Sequence, residues 1–229
     1  MGTEVETIEV ETKDCTALGD AELGEMADLC NDGPAGFDVG WLSKQPEAWV
    51  LVTQAREADR LVGFSFFTLE RIGGTPSLLV GVTSVNASHH ADAILAAIMG
   101  DHYHRALLAF PDEDVLVGTR MIDARGFVAF AGLEDVVPRP GHRATGEERA
   151  WGRRLAKRFG AEGRINDRAF VITGDGSPCG LLEYNQIGTG DLDPALGGLF
   201  AGLDTERRDC LVAFGWAMAE DLAAGRLGG

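Results

Sequence analysis

The chain has 229 residues, a length that permits one large α/β domain, or a smaller domain with an appendage, and disfavours two domains of the usual size of about 150 residues. Because 45% of the residues are hydrophobic and 24% are charged, the chain can bury a core and is not of the disordered class. The 20 Lys and Arg and the 36 Asp and Glu residues give a formal net charge of -16, which disfavours nucleic acid as a partner and favours cationic or neutral small molecules.

Patterns of period 2 and period 3.6 predict the elements of the first half of the chain. Residues 6–12 alternate apolar and charged side chains, as a half-buried strand does, and residues 20–30 have the spacing of an amphipathic helix with Asp20 as its N-cap. Three β-rich runs then predict a meander, and a long helix interrupted by Gly100 follows it. After the first helix, the predicted order is strands 49–53, 61–67 and 78–85, helix 88–110, strand 115–119 and a helical piece over 124–131.

The long predicted helix connects two predicted strands, residues 78–85 and residues 115–119. A tight hairpin cannot join parallel strands, so a connection of this length indicates that these two strands are parallel, whereas the meander strands are antiparallel. The predicted fold class is therefore α/β, with a mixed, mainly antiparallel sheet flanked by helices.

Residues 142–229 are predicted to form an α+β extension that packs on the domain of residues 1–141. Thr145 and Glu148 have the spacing of a capping box and predict a basic helix that ends near Phe159. Residues 169–173 and 181–184 predict a hairpin, and residues 204–222 predict a terminal helix capped by Asp204. The apolar stripe of that helix indicates a possible homodimer, although the chain's own sheet could cover the stripe equally well.

Two stretches carry a resemblance to a known family. Residues 85–95, at the junction of the third meander strand and the long helix, read VNASHHADAIL, and residues 125–138 read RGFVAFAGLEDVVP. Together with the element order, these stretches resemble the GNAT superfamily of N-acyltransferases over residues 5–138. The resemblance implies a GNAT-like fold and the transfer of an acyl group from acetyl-CoA or another acyl-CoA to a primary amine of a small molecule or a peptide.

The cofactor site of the resembled family lies between the third meander strand and the long helix. Backbone N–H groups at a helix N-terminus carry partial positive charge and can hold a pyrophosphate without side-chain cations. Here Ser88 stands where the family has Gln or Arg, Ala91 replaces the first glycine, and Asp92 places a carboxylate where it would repel a pyrophosphate. The residues that the resemblance assigns to cofactor binding are Ser84, Val85, His90, Ala91, Ala93 and Arg125.

Acylation of an amine needs a base that takes the ammonium proton and an acid for the leaving thiolate. Glu70, at the end of the second meander strand, and His89, at the start of the long helix, are the candidate catalytic residues. The alternative interpretations are an exposed carboxylate at a strand end and a histidine that binds a phosphate or simply faces solvent. Tyr103 and Tyr184 are the two tyrosines that could supply a phenolic acid.

No metal site is predicted. His102 and His104 lie two residues apart on the long helix, so their rings point about 200° apart and do not converge on one ion; this polar segment is expected to face solvent.

The four cysteines, Cys15, Cys30, Cys179 and Cys210, are scattered and are expected to be buried thiols rather than zinc ligands or disulfides. No apolar stretch approaches the length of a membrane span, and the acidic start of the chain is unlike a signal peptide, so we expect a cytoplasmic protein without a membrane partner.

Positive charge is concentrated in residues 120–168, which hold eleven cations and seven carboxylates. Two interpretations stay open, a solvated basic helix and a patch that binds an anion. A carrier-protein thioester is an alternative acyl donor, because this region could face an acidic partner. A second class of function is a non-catalytic GNAT-like binding or assembly protein, in which the altered cofactor loop is only structural.

Overall fold

The computed structural model describes residues 7–30, 37–88, 90–178, 180–182, 187–188 and 192–228. The strands described there are β1 (Glu9–Asp14), β2 (Leu51–Glu57), β3 (Arg60–Ile72), β4 (Thr75–Val85), β5 (Val115–Met121), β6 (Glu134–Val137), β7 (Ile165–Asn166), β8 (Val171–Ile172) and β9 (Cys210–Ala217). The α-helices are α1 (Asp20–Leu29), α2 (Val39–Leu42), α3 (Ala91–Ala109), α4 (Gly146–Arg158) and α5 (Ala219–Ala223). The predicted helical piece over 124–131 is a 3-10 helix, Ala124–Phe130.

The strands form one sheet in the order β1-β2-β3-β4-β5-β9-β8-β7, and β6 also pairs with β9. β1 to β4 are antiparallel neighbours, and β2 to β4 are the predicted meander. β5 lies parallel to β4, over the pairs from Ser77 with Leu116 to Leu79 with Gly118. The predicted fold class, a mixed and mainly antiparallel sheet flanked by helices with one parallel pair across the long helix, is confirmed.

The two longest helices lie on opposite faces of this sheet. Phe67 of β3 faces α3, where its ring stacks on His102 at a centroid distance of 4.0 Å. Successive residues of a strand face opposite sides, so Thr68 and its β4 partner Leu79 face away from α3. On that second face a Cβ on Gly118 would lie 2.9 Å from Leu155 of α4, so α4 covers the face that α3 does not.

The basic helix is confirmed as α4, and its start has the predicted capping box. The Glu148 backbone N–H donates to Thr145 Oγ1 at 3.1 Å, and the Thr145 N–H donates to the Glu148 carboxylate at 2.6 Å. α4 buries Trp151 and Leu155 and exposes Arg153 and Arg154, so the basic helix is amphipathic.

The predicted terminal helix over residues 204–222 is wrong, because Cys210–Ala217 is the strand β9 and only Ala219–Ala223 is helical. β9 pairs with β5 on one side and with β8 and β6 on the other, so nearly every side chain in it is buried. A short apolar run has the same spacing in a buried strand as in a buried helix, so the spacing alone does not distinguish the two structures. The apolar stripe behind the homodimer hypothesis is therefore covered by the chain's own sheet.

The predicted hairpin between residues 169–173 and 181–184 is also wrong in its pairing. β8 pairs with Ile165–Asn166 and with the start of β9. Leu181 instead forms a parallel bridge with Thr83 of β4. Residues 183–184 lie outside the described residues.

Cys15 and Cys30 are buried free thiols, as predicted; Cys210 is buried as well, and Cys179 lies outside the described residues. Burial raises the pKa of the Cys15 thiol to about 12 and that of the Cys30 thiol to about 11, so neither ionises near neutral pH. In the part of the chain that the structure describes, no helix combines the length and the apolar character that a membrane span requires.

We expect Gly81→Ala to destabilise the chain by about 1 to 3 kcal/mol, because it overfills a packed strand. Between Ser65 and Phe67 the register of β3 against β4 shifts, which places one extra residue in β4 at this point. A Cβ on Gly81 would overlap Cε2 of Trp49 and would lie 2.9 Å from the Phe66 carbonyl oxygen. Urea unfolding measures the change.

The matched control is Gly24→Ala on α1, where an added Cβ would meet nothing within 4 Å. Alanine is a better helix former than glycine, so this variant should gain about 0.5 to 1 kcal/mol. Equal stability changes in the two variants would contradict the packing argument at Gly81.

Candidate functional site

β4 and β5 stay together for only three residue pairs and then separate. After Leu79 and Gly118 no further backbone pairs follow, and Thr119 Oγ1 donates a hydrogen bond to the Val80 carbonyl at 2.7 Å. We call the space between residues 80–85 of β4 and residues 119–121 of β5 the strand gap. An opening between parallel strands leaves backbone groups that some other chain or ligand must satisfy.

Two leucines from the C-terminal region fill the strand gap. The Leu182 N–H donates to the Thr83 carbonyl of β4 at 3.1 Å, and the Leu181 N–H donates to the Arg120 carbonyl of β5 at 2.7 Å. Both side chains are buried, at 2% and 0% exposure, and Leu182 has a φ of +56°, which is unusual for a leucine. The chain thus places its own backbone N–H groups where those of a ligand would otherwise pair with both strands.

The predicted cofactor residues at the end of β4 are buried. Ser84 is 1% exposed and its Oγ lies 3.5 Å from the Cys30 thiol, while Val85 is 1% exposed and faces Gly63 of β3. Ala91, the first residue of α3, is 4% exposed. These three residues can reach a ligand only through their backbone.

The start of α3 is exposed beside them. Ala93 and His90 are exposed, and the His90 N–H donates to Ser88 Oγ at 3.2 Å. The first turn of a helix leaves backbone N–H groups without partners inside the helix, and it carries the positive end of the helix dipole. Asp92 is exposed in the same turn, so its carboxylate lowers the positive potential there. His89 lies outside the described residues.

Next to the start of α3 is a cavity of about 490 Å³, which we call the α3 cavity. α3 forms one wall, the residues that follow β5 form the second, and the end of the chain closes it. Most of the wall is apolar, and two charged side chains, Asp92 and Arg226, also line it. The lining residues are Asp92, Ala93, Leu95, Ala96, Met99, Tyr103, Val128, Ala129, Ala131, Gly132, Arg226 and Gly228.

Of the two tyrosines, Tyr103 lines the α3 cavity and Tyr184 lies outside the described residues. The Tyr103 hydroxyl donates to the Ala129 carbonyl at 3.3 Å. Burial raises the pKa of this phenol well above its usual value. In this position Tyr103 serves better as a neutral hydrogen-bond donor than as a source of a phenolate.

Glu70 lies far from the start of α3. It is the β3 partner of Ser77, and Ser77 precedes Val85 by eight residues, which corresponds to about 26 Å along a strand. The Glu70 carboxylate accepts a hydrogen bond from Arg158 Nε of α4 at 2.6 Å. The structure therefore does not bring Glu70 close to the described start of α3.

Arg125 is the second residue of the 3-10 helix Ala124–Phe130, and its guanidinium forms an ion pair with Asp123. Hydrogen bonds from Nε to both oxygens of Asp123, each 2.9 Å long, raise the pKa of Arg125. Because this carboxylate already compensates its charge, Arg125 attracts an anion less strongly than an isolated arginine would.

The rings of His102 and His104 point into different surroundings, because His102 is 0% exposed and His104 is exposed. The expectation that this segment faces solvent is therefore wrong for His102, because α3 packs this position on Phe67. Within the described ranges, no group of three or more His, Cys, Asp or Glu side chains could hold a metal ion.

Sequence reasoning missed both the leucines of the strand gap and the end of the chain at the α3 cavity. Leu182 meets Thr83 across about a hundred residues of sequence, and Arg226 and Gly228 meet residues of α3 across a similar separation. Local periodicity carries no information on contacts of that range. The one available signal was the apolar pair Leu181–Leu182, in a glycine-rich and proline-containing stretch that otherwise reads as a turn.

Comparison with known proteins gives similarity at the level of structure only. No family model matches the chain, and no curated protein matches it. Among solved structures, it is similar to a ribosomal-protein-alanine N-acetyltransferase from Brucella melitensis biovar Abortus 2308, with 18% identity, a TM-score of 0.38, and coverage of 48% of this chain and 79% of that chain.

Two further solved structures are also N-acetyltransferases. The aminoglycoside 6'-N-acetyltransferase from Enterococcus faecium is 15% identical, with a TM-score of 0.38 and coverage of 50% of this chain and 63% of that chain. The ribosomal-protein-S18-alanine N-acetyltransferase from Escherichia coli is 10% identical, with a TM-score of 0.40 and coverage of 61% of this chain and 86% of that chain.

The sheet topology itself has the features that the sequence resemblance implied. An antiparallel meander leads through α3 to a parallel strand, and the pair β4 and β5 opens toward the start of α3. This element order is the one that the resemblance to the GNAT superfamily implied. What differs from the expected arrangement is the strand gap, which the leucines of the C-terminal region fill.

Proposed function

We propose that the chain is an N-acyltransferase that moves an acyl group from acetyl-CoA or another acyl-CoA to a primary amine of a small molecule or a peptide. The observation that carries the proposal is the parallel pair β4 and β5, which separates after three residue pairs and opens beside the exposed start of α3. Ligands of open α/β sheets bind outside the carboxyl ends of parallel strands, where such an opening lies.

The start of α3 suits the anionic part of the cofactor, and the α3 cavity suits its apolar part. Backbone N–H groups of the first turn, near His90 and Ala93, would hold the pyrophosphate, and the small side chain of Ala93 permits close approach. The apolar wall, which includes Leu95 and Met99, would exclude water from the arm and the acyl chain. The bound cofactor supplies an activated thioester. Asp92 is the one residue there that opposes an anion.

In this proposal a histidine at the start of α3 takes the proton from the attacking ammonium group. His89 is the proposed base, and His90 is its exposed neighbour; an imidazole exchanges protons near neutral pH. Glu70 of β3 stays an alternative base, although Arg158 binds its carboxylate beside the first residues of β4, away from the start of α3. The formal net charge of -16 attracts a cationic amine such as an amino sugar, a polyamine or a peptide N-terminus.

The filled strand gap favours a second candidate function, that of a non-catalytic binding or assembly protein. Leu181 and Leu182 satisfy the Arg120 and Thr83 carbonyls, so an amide-bearing ligand cannot use them while the leucines are in place. In this alternative the leucines are a permanent part of the sheet, and no thioester binds.

Calorimetric titration with acetyl-CoA and with a longer acyl-CoA tests the proposal. We expect saturable binding of at least one of them, and Asp92→Asn should tighten it about two- to fivefold, because a carboxylate at a helix N-terminus repels the pyrophosphate by about 0.3 to 1 kcal/mol. Asp112→Asn is the matched control, an exposed residue with the same charge change in the turn before β5, and should leave binding unchanged. Failure of both ligands to bind the wild type would favour the non-catalytic function instead.

A further inference from the structure

A second concave surface lies on the α4 face of the sheet, away from α3. Its volume is about 490 Å³, and we call it the basic pocket. Its lining is almost entirely polar and cationic. The lining residues are His142, Arg143, Ala144, Arg149 and Arg168.

The three arginines of the basic pocket form no ion pair with a carboxylate of the described residues, unlike most other arginines of the chain. Eleven arginines form ion pairs with described Asp or Glu side chains. Arg143, Arg149 and Arg168 form none with the described residues, although the chain has 36 acidic residues against 20 cationic ones. In so acidic a chain, three guanidinium groups on one concave surface without a counter-ion form a site of strong local positive potential.

Local contacts hold this arrangement in place. Arg149 Nε donates to the Thr145 carbonyl at 3.3 Å, which directs its side chain along the first turn of α4. Arg168 sits in a turn in which Asn166 Oδ1 accepts hydrogen bonds from two backbone N–H groups, at 3.1 and 3.3 Å. An ion pair between Arg153 and Asp167 ties this turn to α4. Arg149 thus lies on a helix, and Arg168 lies in a turn that local contacts fix.

Two acidic residues close in sequence to the pocket residues, Glu148 and Asp167, already have partners. Glu148 accepts hydrogen bonds from the Thr145 N–H at 2.6 Å and from His142 Nε2 at 2.9 Å. Burial acts to raise the pKa of Glu148, but these hydrogen bonds outweigh it and lower that pKa, so the group stays a carboxylate. Asp167 pairs with Arg153. Neither carboxylate forms an ion pair with Arg143, Arg149 or Arg168.

We propose that the basic pocket binds a phosphate-bearing small molecule. The planar guanidinium fork matches two oxygens of a phosphate, and three such groups can enclose a diphosphate. The volume of the pocket is that of a small-molecule site. A compact anion is favoured over a long polyanion because the net charge of the chain repels an extended one. This inference is independent of the proposed acyl transfer, since α3 and α4 lie on opposite faces of the sheet.

Pyrophosphate and inorganic phosphate are the probes, titrated by calorimetry against the full chain. We expect saturable binding with one site, tighter for pyrophosphate than for phosphate. The double variant Arg143→Gln and Arg168→Gln should weaken pyrophosphate binding at least about tenfold, because the loss of a single charge-assisted hydrogen bond already lowers an affinity by about that factor. Lys157→Gln is the matched control, an exposed cation on α4 outside the pocket whose side chain is 70% exposed. It should leave binding unchanged.

Four results would overturn the proposal. Pyrophosphate that fails to bind the wild type, or that binds the double variant and the Lys157→Gln control equally, excludes a site at these arginines. Binding of an acidic peptide such as polyglutamate, without binding of pyrophosphate, shows a docking surface for an acidic protein instead. If acetyl-CoA displaces pyrophosphate in a one-to-one competition, the pocket belongs to the cofactor and is not a separate site. Thermal melting of each variant confirms that it is folded.

Discussion

The free energy of unfolding is expected to fall by about 1.4 kcal/mol for each pH unit below 6.5, through the protonation of His102 alone. Burial lowers the pKa of His102 to about 3; the nearby Asp101 carboxylate opposes this shift and Arg105 adds to it. A histidine that binds its proton only below about pH 3 in the folded chain, but below 6.5 in the unfolded chain, favours unfolding in acid. The stability it contributes is complete above pH 6.5 and is lost between pH 6.5 and pH 3.

The surroundings of His102 explain why its ring stays neutral. The residue is 0% exposed, its ring stacks on Phe67 at 4.0 Å, and neither ring nitrogen has a hydrogen-bond partner within the described part of the chain. An imidazolium would need two acceptors at this position. Even the neutral ring leaves a buried donor and a buried acceptor unsatisfied, at a cost of about 1 to 3 kcal/mol for each group.

Replacing His102 by phenylalanine should remove this acid sensitivity and preserve the stack on Phe67. Urea unfolding at pH 7.5, 6.5, 5.5 and 4.5 should show a stability difference between variant and wild type that grows in favour of the variant by about 1.4 kcal/mol per unit below pH 6.5. His104→Phe is the control on the same helix, and because His104 is exposed its curve should follow that of the wild type. Parallel curves for wild type and His102→Phe would show that another group sets the acid limit.

The elements with long periodic patterns were predictable from the sequence. α3 and the meander strands have enough residues for the period to decide between helix and strand, and Thr145 with Glu148 fixed the start of α4 through a capping box. β9 was not predictable, since its eight residues are buried on both faces and carry no alternation. Such a strand is defined by its neighbours in the sheet, which lie up to about a hundred residues away.

The candidate site was predictable only where it is local. The position of Ala93 at the start of a helix followed from the pattern, and its exposure is what a helix start provides. The burial of His102 and the filling of the strand gap both depend on packing between elements distant in sequence. The polar character of a residue such as His102 predicts exposure, and tertiary packing overrides that tendency at a cost in unsatisfied hydrogen bonds.

The leucines of the strand gap are expected to weaken acyl-CoA binding, so their truncation should strengthen it about tenfold or more. The arm of coenzyme A carries amide groups that need hydrogen-bond partners, and in the strand gap the Thr83 and Arg120 carbonyls already accept from Leu182 and Leu181. A ligand that needs the gap binds only the fraction of molecules in which the leucines are out, and its apparent affinity falls by that fraction. Leu181→Ala removes about 2 kcal/mol or more of buried contact that holds them in.

The test compares the acyl-CoA affinity of Leu181→Ala with that of the wild type and with Leu196→Ala, a buried leucine of the 3-10 helix Pro194–Phe200 outside the gap. Only the first variant should bind more tightly. Amide exchange supplies an independent reading: the Leu181 and Leu182 N–H groups should be protected in the wild type and should lose protection when acyl-CoA saturates it. If Leu181→Ala binds acyl-CoA equally or more weakly while the amides stay protected, the leucines are a fixed part of the sheet. The strand gap is then closed to ligands, and any cofactor is held by the start of α3 and the α3 cavity alone.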